Sequence, residues 1–493
     1  MTRTPQGSQW KTLDKDLNRI SQMEMATAYV SRPLVAPGIA LAFIVIAALA
    51  GAIMFGHSSF NLVIVAAAAF GAYMAINIGA NDVANNMGPA VGANALTMGG
   101  AIMIAALFES AGALLAGGDV VSTISKGIID PAAVNSSTTF IWAMMAALIS
   151  SALWVNLATW IGAPVSTTHS VVGGVMGAGI AAAGLGAVNW ASMSMIAASW
   201  VISPVLGGAI AAFFLALIKA KIIYQDDKIA AARHWVPILI GVMAGVFSAY
   251  LALKGLKRII KIDMGTALLI GAAFGALAYV ITAPLIKRQS EGMENRNKSV
   301  KVLFGIPLVF SAALLSFAHG ANDVANAVGP LAAIVHATEF GDVATKVAIP
   351  TWVMVIGAFG ISFGLFLFGP KLIRMVGSQI TKLNPMRAYC VALSAAITVI
   401  IASWLGLPVS STHIAVGAVF GVGFYREWHM ERRLRQPNAK VGTVKKIAPE
   451  ERRRRKLVRR SHFMTIAAAW VITVPAAAAM SAAIFMILNA FVS

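Results

Sequence analysis

A seven-residue phrase occurs twice in this chain. Gly79-Ala80-Asn81-Asp82-Val83-Ala84-Asn85 returns unchanged, 241 residues later, as Gly320-Ala321-Asn322-Asp323-Val324-Ala325-Asn326. A Gly-Pro pair follows each copy at the same distance, Gly88-Pro89 and Gly329-Pro330. Both copies stand directly against long apolar runs. A carboxylate flanked by two carboxamides is costly in a bilayer and persists there when it serves a function. Its presence twice, at equivalent places, predicts one site assembled from two halves.

The surroundings fit that expectation. Of 493 residues, 58% are hydrophobic and 12% charged, with mean hydropathy +0.79; a soluble domain carries about 25% charged residues. The apolar runs approach or exceed the ~18 residues of a membrane-spanning helix, whereas outer-membrane strands alternate over about ten. Thirteen segments are apolar: 34–56, 60–79, 96–115, 140–161, 165–184, 195–217, 235–253, 265–286, 302–318, 347–368, 388–405, 409–424 and 466–492. The chain therefore reads as an all-α integral membrane protein, a bundle of about 12–13 transmembrane segments with broken or re-entrant helices. Segment 409–424 is short for a crossing, so it or its partner 165–184 is the candidate for re-entry.

With the N-terminus inside and every segment crossing, loops 219–234, 287–301, 371–387 and 425–462 all fall on the cytoplasmic side, and all four are basic. That is the positive-inside rule. One stretch violates it: 254–261 carries four positive charges and falls outside. Segment 425–462 holds 14 Lys or Arg against four Glu, so it supplies more than half of the net charge of +19. This reads as a cytoplasmic loop facing anionic lipid headgroups, not as a nucleic-acid footprint.

A second phrase repeats as well. Gly162-Ala163-Pro164-Val165-Ser166-Thr167-Thr168-His169 answers Gly406-Leu407-Pro408-Val409-Ser410-Ser411-Thr412-His413 after 244 residues. Seven crossings separate the start of one unit from the start of the other, and an odd number inverts the second. Inverted repeats meeting near the midplane are a transporter architecture. The organisation is then a basic cytoplasmic segment 1–33, an additional helix 34–59, a first repeat 60–218, a two-helix linker 219–301 and a second repeat 302–493.

Each phrase carries chemistry. Glycine and proline bracket the Asn-Asp phrase and favour a helix break, with Asn81 and Asp82 as caps of a new helix. The freed N–H end of a broken helix suits an anion; its C=O end, with Asp and Asn oxygens, suits a small hard cation. The plainer reading, ordinary loop caps at the membrane surface, sits poorly with seven identical residues written twice. In the second phrase, proline followed by hydroxyls predicts a helix start at which Ser166, Thr167, Thr168, Ser410, Ser411 and Thr412 together with free amides wrap a tetrahedral oxyanion without arginine. Its plainer reading is Ser/Thr packing between helices. His169 and His413 are candidates for proton relay, but the expected reading is a neutral histidine donating to a backbone carbonyl. Glu109, alone in an apolar run, is a candidate for cation coupling or a structural pair. Cys390 is the sole cysteine, which excludes an intramolecular disulfide. No His-Glu-x-x-His or comparable constellation marks an enzyme, and no cofactor is expected beyond a coupling ion.

The two phrases, in this order and doubled, resemble the inorganic phosphate transporter (PiT) family over nearly the whole chain from about residue 60; segment 108–130 is similar to the branch with eukaryotic members. The resemblance implies cation-coupled uptake of inorganic phosphate, often by a homodimer, in the cytoplasmic (inner) membrane. Carried over by motif, Asn81, Asp82, Asn322 and Asp323 form a paired centre shared by cation and substrate, with Asn85, Asn326 and Glu109 beside it, and the six hydroxyl residues cradle phosphate. Family members use Na+ or H+; the wealth of neutral oxygen ligands favours Na+ at the Asn/Asp positions. A sulfate or general oxyanion symporter of the same fold is the alternative, and an anion channel is a different class that a broken-helix repeat disfavours. An Asp facing the anion accepts a hydrogen bond from protonated phosphate and repels sulfate.

Overall fold

The structure, a computed structural model, describes residues 34–54, 61–130, 133–134, 136–161, 165–255, 262–341, 349–375, 383–434 and 460–492. In chain order the helices are α1 (Leu34–Met54), α2 (Asn61–Asn81), α3 (Val83–Gly92), α4 (Met98–Ala116), α5 (Gly118–Lys126), α6 (Ser137–Ile161), α7 (Thr167–Ala183) and α8 (Trp190–Ile218). They continue as α9 (Lys228–Lys254), α10 (Met264–Gln289), α11 (Asn297–Leu303), α12 (Gly305–Phe340), α13 (Thr351–Met375), α14 (Pro385–Trp404), α15 (Ser411–Leu434) and α16 (Arg460–Val492). Among the described residues each of the thirteen apolar segments is largely helical. Among the described residues eleven stretches are long and apolar enough to cross a membrane; of the thirteen apolar segments, those that form α7 and α15 are the two that fall short.

The starts follow from local chemistry. Thr97, Asn189, Asp227, Asp263 and Asn384 each precede an apolar run, and each accepts a hydrogen bond from a backbone N–H of the first turn. Pro385 at the first position of α14 adds a preset φ.

The two halves are related by the expected exchange. α2 lies on α13 and α12 on α4; α7 lies on α16 and α15 on α8. The glycine that opens each copy of the phrase makes the first of these contacts. A Cβ on Gly79 would stand 1.8 Å from the Ile361 carbonyl oxygen, and one on Gly320 would stand 2.1 Å from that of Glu109. Without side chains, backbones touch and carry the polar residues that follow into the centre. α9 and α10 of the linker lie against each other, and only Ala267, Gly271, Thr282 and Ile286 of α10 are buried.

The expected helix break at the Asn-Asp phrase is corrected. α12 runs unbroken through the second copy for 36 residues. In the first copy only Asp82 interrupts, in an αR conformation and with no side-chain cap. Asp82 N still bonds to the Ile78 carbonyl at 2.9 Å, and Asn85 N bonds to that of Asp82 at 3.0 Å, so the turn tightens without opening. The Asn and Asp side chains reach neighbouring helices instead of their own backbone. The discontinuities that matter lie at residues 165–166, just before α7, and at the tip between α14 and α15.

Two further expectations change at their edges. α15 continues to Leu434 and α16 begins at Arg460, so helix occupies both ends of the basic stretch 425–462, and its middle, 435–459, lies outside the described residues, as does 1–33. Lys254, in the stretch that violates the charge rule, is ion-paired with Asp119 on α5.

Candidate binding site

Ser166 adopts extended backbone angles, φ −85° and ψ 121°, and its Oγ accepts from His169 N at 3.2 Å, starting α7. Ser410 repeats the arrangement for α15, accepting from His413 N at 3.4 Å. Both helix starts are buried, as are Thr167, Thr168, Ser411 and Thr412 in their first turns. Two positive helix ends therefore sit inside the bundle, at the hydroxyl phrase and not at the Asn-Asp phrase. Capping uses an oxygen lone pair, so the Ser166 and Ser410 O–H groups remain donors. Removing one cap, Ser166→Ala, should cost about 1 kcal/mol; a lower thermal midpoint of the purified protein measures it.

Asp82 meets these starts directly. Thr167 Oγ1 donates to Asp82 Oδ2 at 2.7 Å and Thr412 Oγ1 reaches Oδ1 at 3.4 Å, so one carboxylate touches both half-helices. The second asparagines cross between repeats. Asn85 Nδ2 donates to Thr412 Oγ1 at 2.9 Å, and Asn326 Nδ2 lies 3.2 Å from both Thr167 Oγ1 and Thr168 Oγ1. The first asparagines stay within their own repeat, Asn81 donating to Thr159 Oγ1 at 2.8 Å and Asn322 to Ser403 Oγ at 3.0 Å. Asn322 also accepts from Val409 N at 3.1 Å, so both ends of its carboxamide are engaged in holding the α14–α15 tip.

Asp323 lies beside Asp82. Ligand atoms of Asp82, His319 and Asp323 all lie within 4.8 Å of one another, and all three residues are buried. His319 is a component that the repeat argument missed. Its Nδ1 lies 2.6 Å from Glu109 Oε2, and its Nε2 lies 2.9 Å from Asp323 Oδ2, a charge contact out of line for a hydrogen bond. Asn86 Nδ2 donates to Glu109 Oε1 at 2.9 Å. The signal was available: an intramembrane histidine stands one residue before the second phrase, where the first has Ile78. Searching for identity between repeats hides a residue that differs between them. Glu109 shows the same asymmetry, since the position facing Gly79 as Glu109 faces Gly320 is Ile361. His169 and His413 instead stack edge to face, with ring centroids 4.5 Å apart. Neither His169 ring nitrogen has a hydrogen-bond partner among the described residues, so the expected carbonyl contact of His169 is replaced by this ring packing.

The centre is electrostatically unfinished. Asp82, Glu109 and Asp323 place three carboxyl groups in an apolar bundle with His319 among them. Close buried carboxylates need a proton or a cation between them. Asp323 Oδ1, Asn326 Oδ1 and Ser411 Oγ are buried without hydrogen-bond partners among the described residues. In the other half the equivalents of Asp323 and Ser411, Asp82 and Thr167, bond to each other. Pro89 and Pro330 have no N–H for the carbonyls of Asn85 and Asn326 four residues earlier, which leaves more oxygen beside the same residues. Oxygen acceptors that lack donors are the ligand set of a hard cation, while amides and hydroxyls at two helix starts are the ligand set of an oxyanion.

The profile of a family described as "Phosphate transporter family" matches residues 78–481. A Helicobacter pylori protein described as "Putative phosphate permease" is 45% identical, the match covering 96% of this chain and 99% of that protein. "Inorganic phosphate transporter 2-1, chloroplastic" of Arabidopsis thaliana is 40% identical over 72% of this chain and 65% of its own length. A solved structure described as "The sodium-dependent phosphate transporter" superimposes with a TM-score of 0.78 at 35% identity, covering 87% of this chain and 99% of the other.

Proposed function

This chain belongs to the phosphate transporter family, and from that premise we propose that it moves inorganic phosphate inward by cation-coupled symport with alternating access. The observation that carries the coupling is the trio of unpartnered buried oxygens on Asp323, Asn326 and Ser411 beside the Asp82–Asp323 pair. Sodium is the coupling ion that this oxygen set favours. Phosphate is held by the first turns of α7 and α15, through Ser166, Thr167, Thr168, Ser410, Ser411 and Thr412.

The mechanism follows from charge. Two helix ends supply partial positive charge that does not neutralise phosphate in a low dielectric. A cation at Asp82 or Asp323 supplies the remainder, so cation and anion each favour the other's binding, and the coupling is reciprocal. Glu109 and His319 hold a proton or a hydrogen bond behind Asp323 and set how its carboxylate is shared. Protonated phosphate donates to an Asp oxygen and sulfate has no such proton, which favours phosphate over the general oxyanion reading.

The protein is a multi-pass membrane protein; we place it in the cytoplasmic membrane, as a carrier without catalytic chemistry, with anionic lipid at its basic segment 425–462 and a second copy as partner. The deciding experiment is uptake of labelled phosphate into proteoliposomes with sodium and proton gradients imposed separately. Accumulation above equilibrium is expected with inward sodium and not without it. Uptake indifferent to both gradients rejects coupling, and equal competition by sulfate moves the assignment to a general oxyanion carrier.

A further inference from the structure

The tip between α14 and α15 is held through its carbonyl oxygens, one after another. Lys254 Nζ donates to Trp404 O at 3.3 Å, Thr123 Oγ1 to Gly406 O at 2.7 Å, and Asn322 Nδ2 to Leu407 O at 3.1 Å. Trp200 Nε1 then donates to Pro408 O at 3.0 Å and Thr168 Oγ1 to Val409 O at 3.0 Å. The donors come from five helices: α9, α5, α12, α8 and α7. Ser410, Ser411 and Thr412 follow at once, so the tip's position sets the second half of the cradle.

Four of these donors belong to the repeats, but Lys254 belongs to the linker. Its ammonium also pairs with Asp119 on α5, the helix that supplies Thr123. Lys254 thus ties three elements together: the linker, α5 and the tip. Gly406, with φ +68°, lets the chain reverse beneath α5. The Lys254 and Asp119 side chains are 17% and 46% exposed. An ion pair with that much water shifts an equilibrium by about two- to fivefold, enough to bias a moving tip without freezing it.

We propose that Lys254, paired with Asp119, is a positioning residue for the phosphate cradle: it clamps the α14–α15 tip over the centre, and its release lets the tip open. The clamp's importance for transport rests on the reading of Ser410 to Thr412 as the cradle; the test of the clamp itself needs no phosphate.

Cys390 is the sole cysteine and is buried, so an introduced thiol gives a clean signal. Val409 is fully buried behind the tip. In sonicated vesicles of the full-length Val409→Cys protein, with both faces exposed, a water-soluble maleimide should react slowly. Adding Lys254→Ala, or Asp119→Ala, should raise the labelling rate about two- to fivefold. Lys254→Arg, which keeps both a positive charge for Asp119 and N–H donors for the Trp404 carbonyl, should hold it near the parent value, which a general loosening would not do. Leu407→Cys, half-buried at the same tip, is the second reporter if Val409→Cys folds poorly. In transport, both alanine variants should raise the KM for phosphate more than they lower the maximal rate. Labelling that ignores both alanine substitutions, or that rises as much with Lys254→Arg as with Lys254→Ala, overturns the proposal.

Discussion

Asp82→Asn and Asp323→Asn should each abolish phosphate accumulation in proteoliposomes while leaving a folded, monodisperse protein. Asparagine keeps the shape and hydrogen-bonding reach of aspartate, so Thr167 and Thr412 still meet position 82. What disappears is the negative charge that holds the coupling cation. Breaking one side of a buried charge arrangement costs about 3–5 kcal/mol, equivalent to about a hundred- to several-thousandfold in occupancy. The two variants should differ in one respect. Asp82 is met by two threonine hydroxyls, whereas Asp323 faces His319 and has an unpartnered oxygen. Asp323→Asn should therefore remove most of the sodium dependence of phosphate binding, and Asp82→Asn should weaken phosphate binding at any sodium concentration. Measured affinities at varied sodium separate these outcomes; a double variant that still accumulates phosphate would remove the paired centre from the mechanism.

Gly320→Ala should be among the most damaging single substitutions in the chain, although it adds one methyl group. The new Cβ would lie 2.1 Å from the Glu109 carbonyl oxygen and 2.8 Å from its Cα, and backbone cannot turn aside as a side chain does. α12 and α4 must separate, and the 2.6 Å contact between His319 and Glu109 separates with them. Overpacking of this kind costs about 1–3 kcal/mol, and the lost buried contact adds to it. The expected result is a depressed thermal midpoint together with transport below detection. Gly305→Ala, where nothing lies within 4 Å of the added Cβ, is the control and should behave as the parent. Equal stability of the two variants would show that α12 and α4 do not meet as described.

The doubled phrases pointed to the inversion and to the meeting of Asp82 with Asp323, because a polar group inside a membrane bundle has few explanations and an odd number of crossings has one consequence. Ser166 and Ser410 were legible as helix starts for a local reason: proline, then hydroxyls, then an apolar run. Gly79 and Gly320 were misread. Glycine before Asn-Asp carries the same letters whether it ends a helix or lets two helices touch, and only the partner backbone, Ile361 or Glu109, decides between them. His319 was overlooked because symmetry was the search criterion and His319 breaks symmetry. Lys254 looked like a violation of the charge rule; the counter-charge that explains it, Asp119, is distant in sequence and invisible to a loop count.

The partnership of α7 with α16 and of α15 with α8 bears on how the protein is made. A Cβ on Gly177 would lie 2.2 Å from the Ala478 carbonyl oxygen, so the surface of α7 is shaped for α16, a helix translated much later than itself. During synthesis the amino-terminal half therefore waits in the bilayer with its seat unfilled until α16 is inserted. Truncation within α16 should leave that half exposed to membrane quality control, and co-expression of two separate halves should rescue it, since the missing piece is supplied in trans.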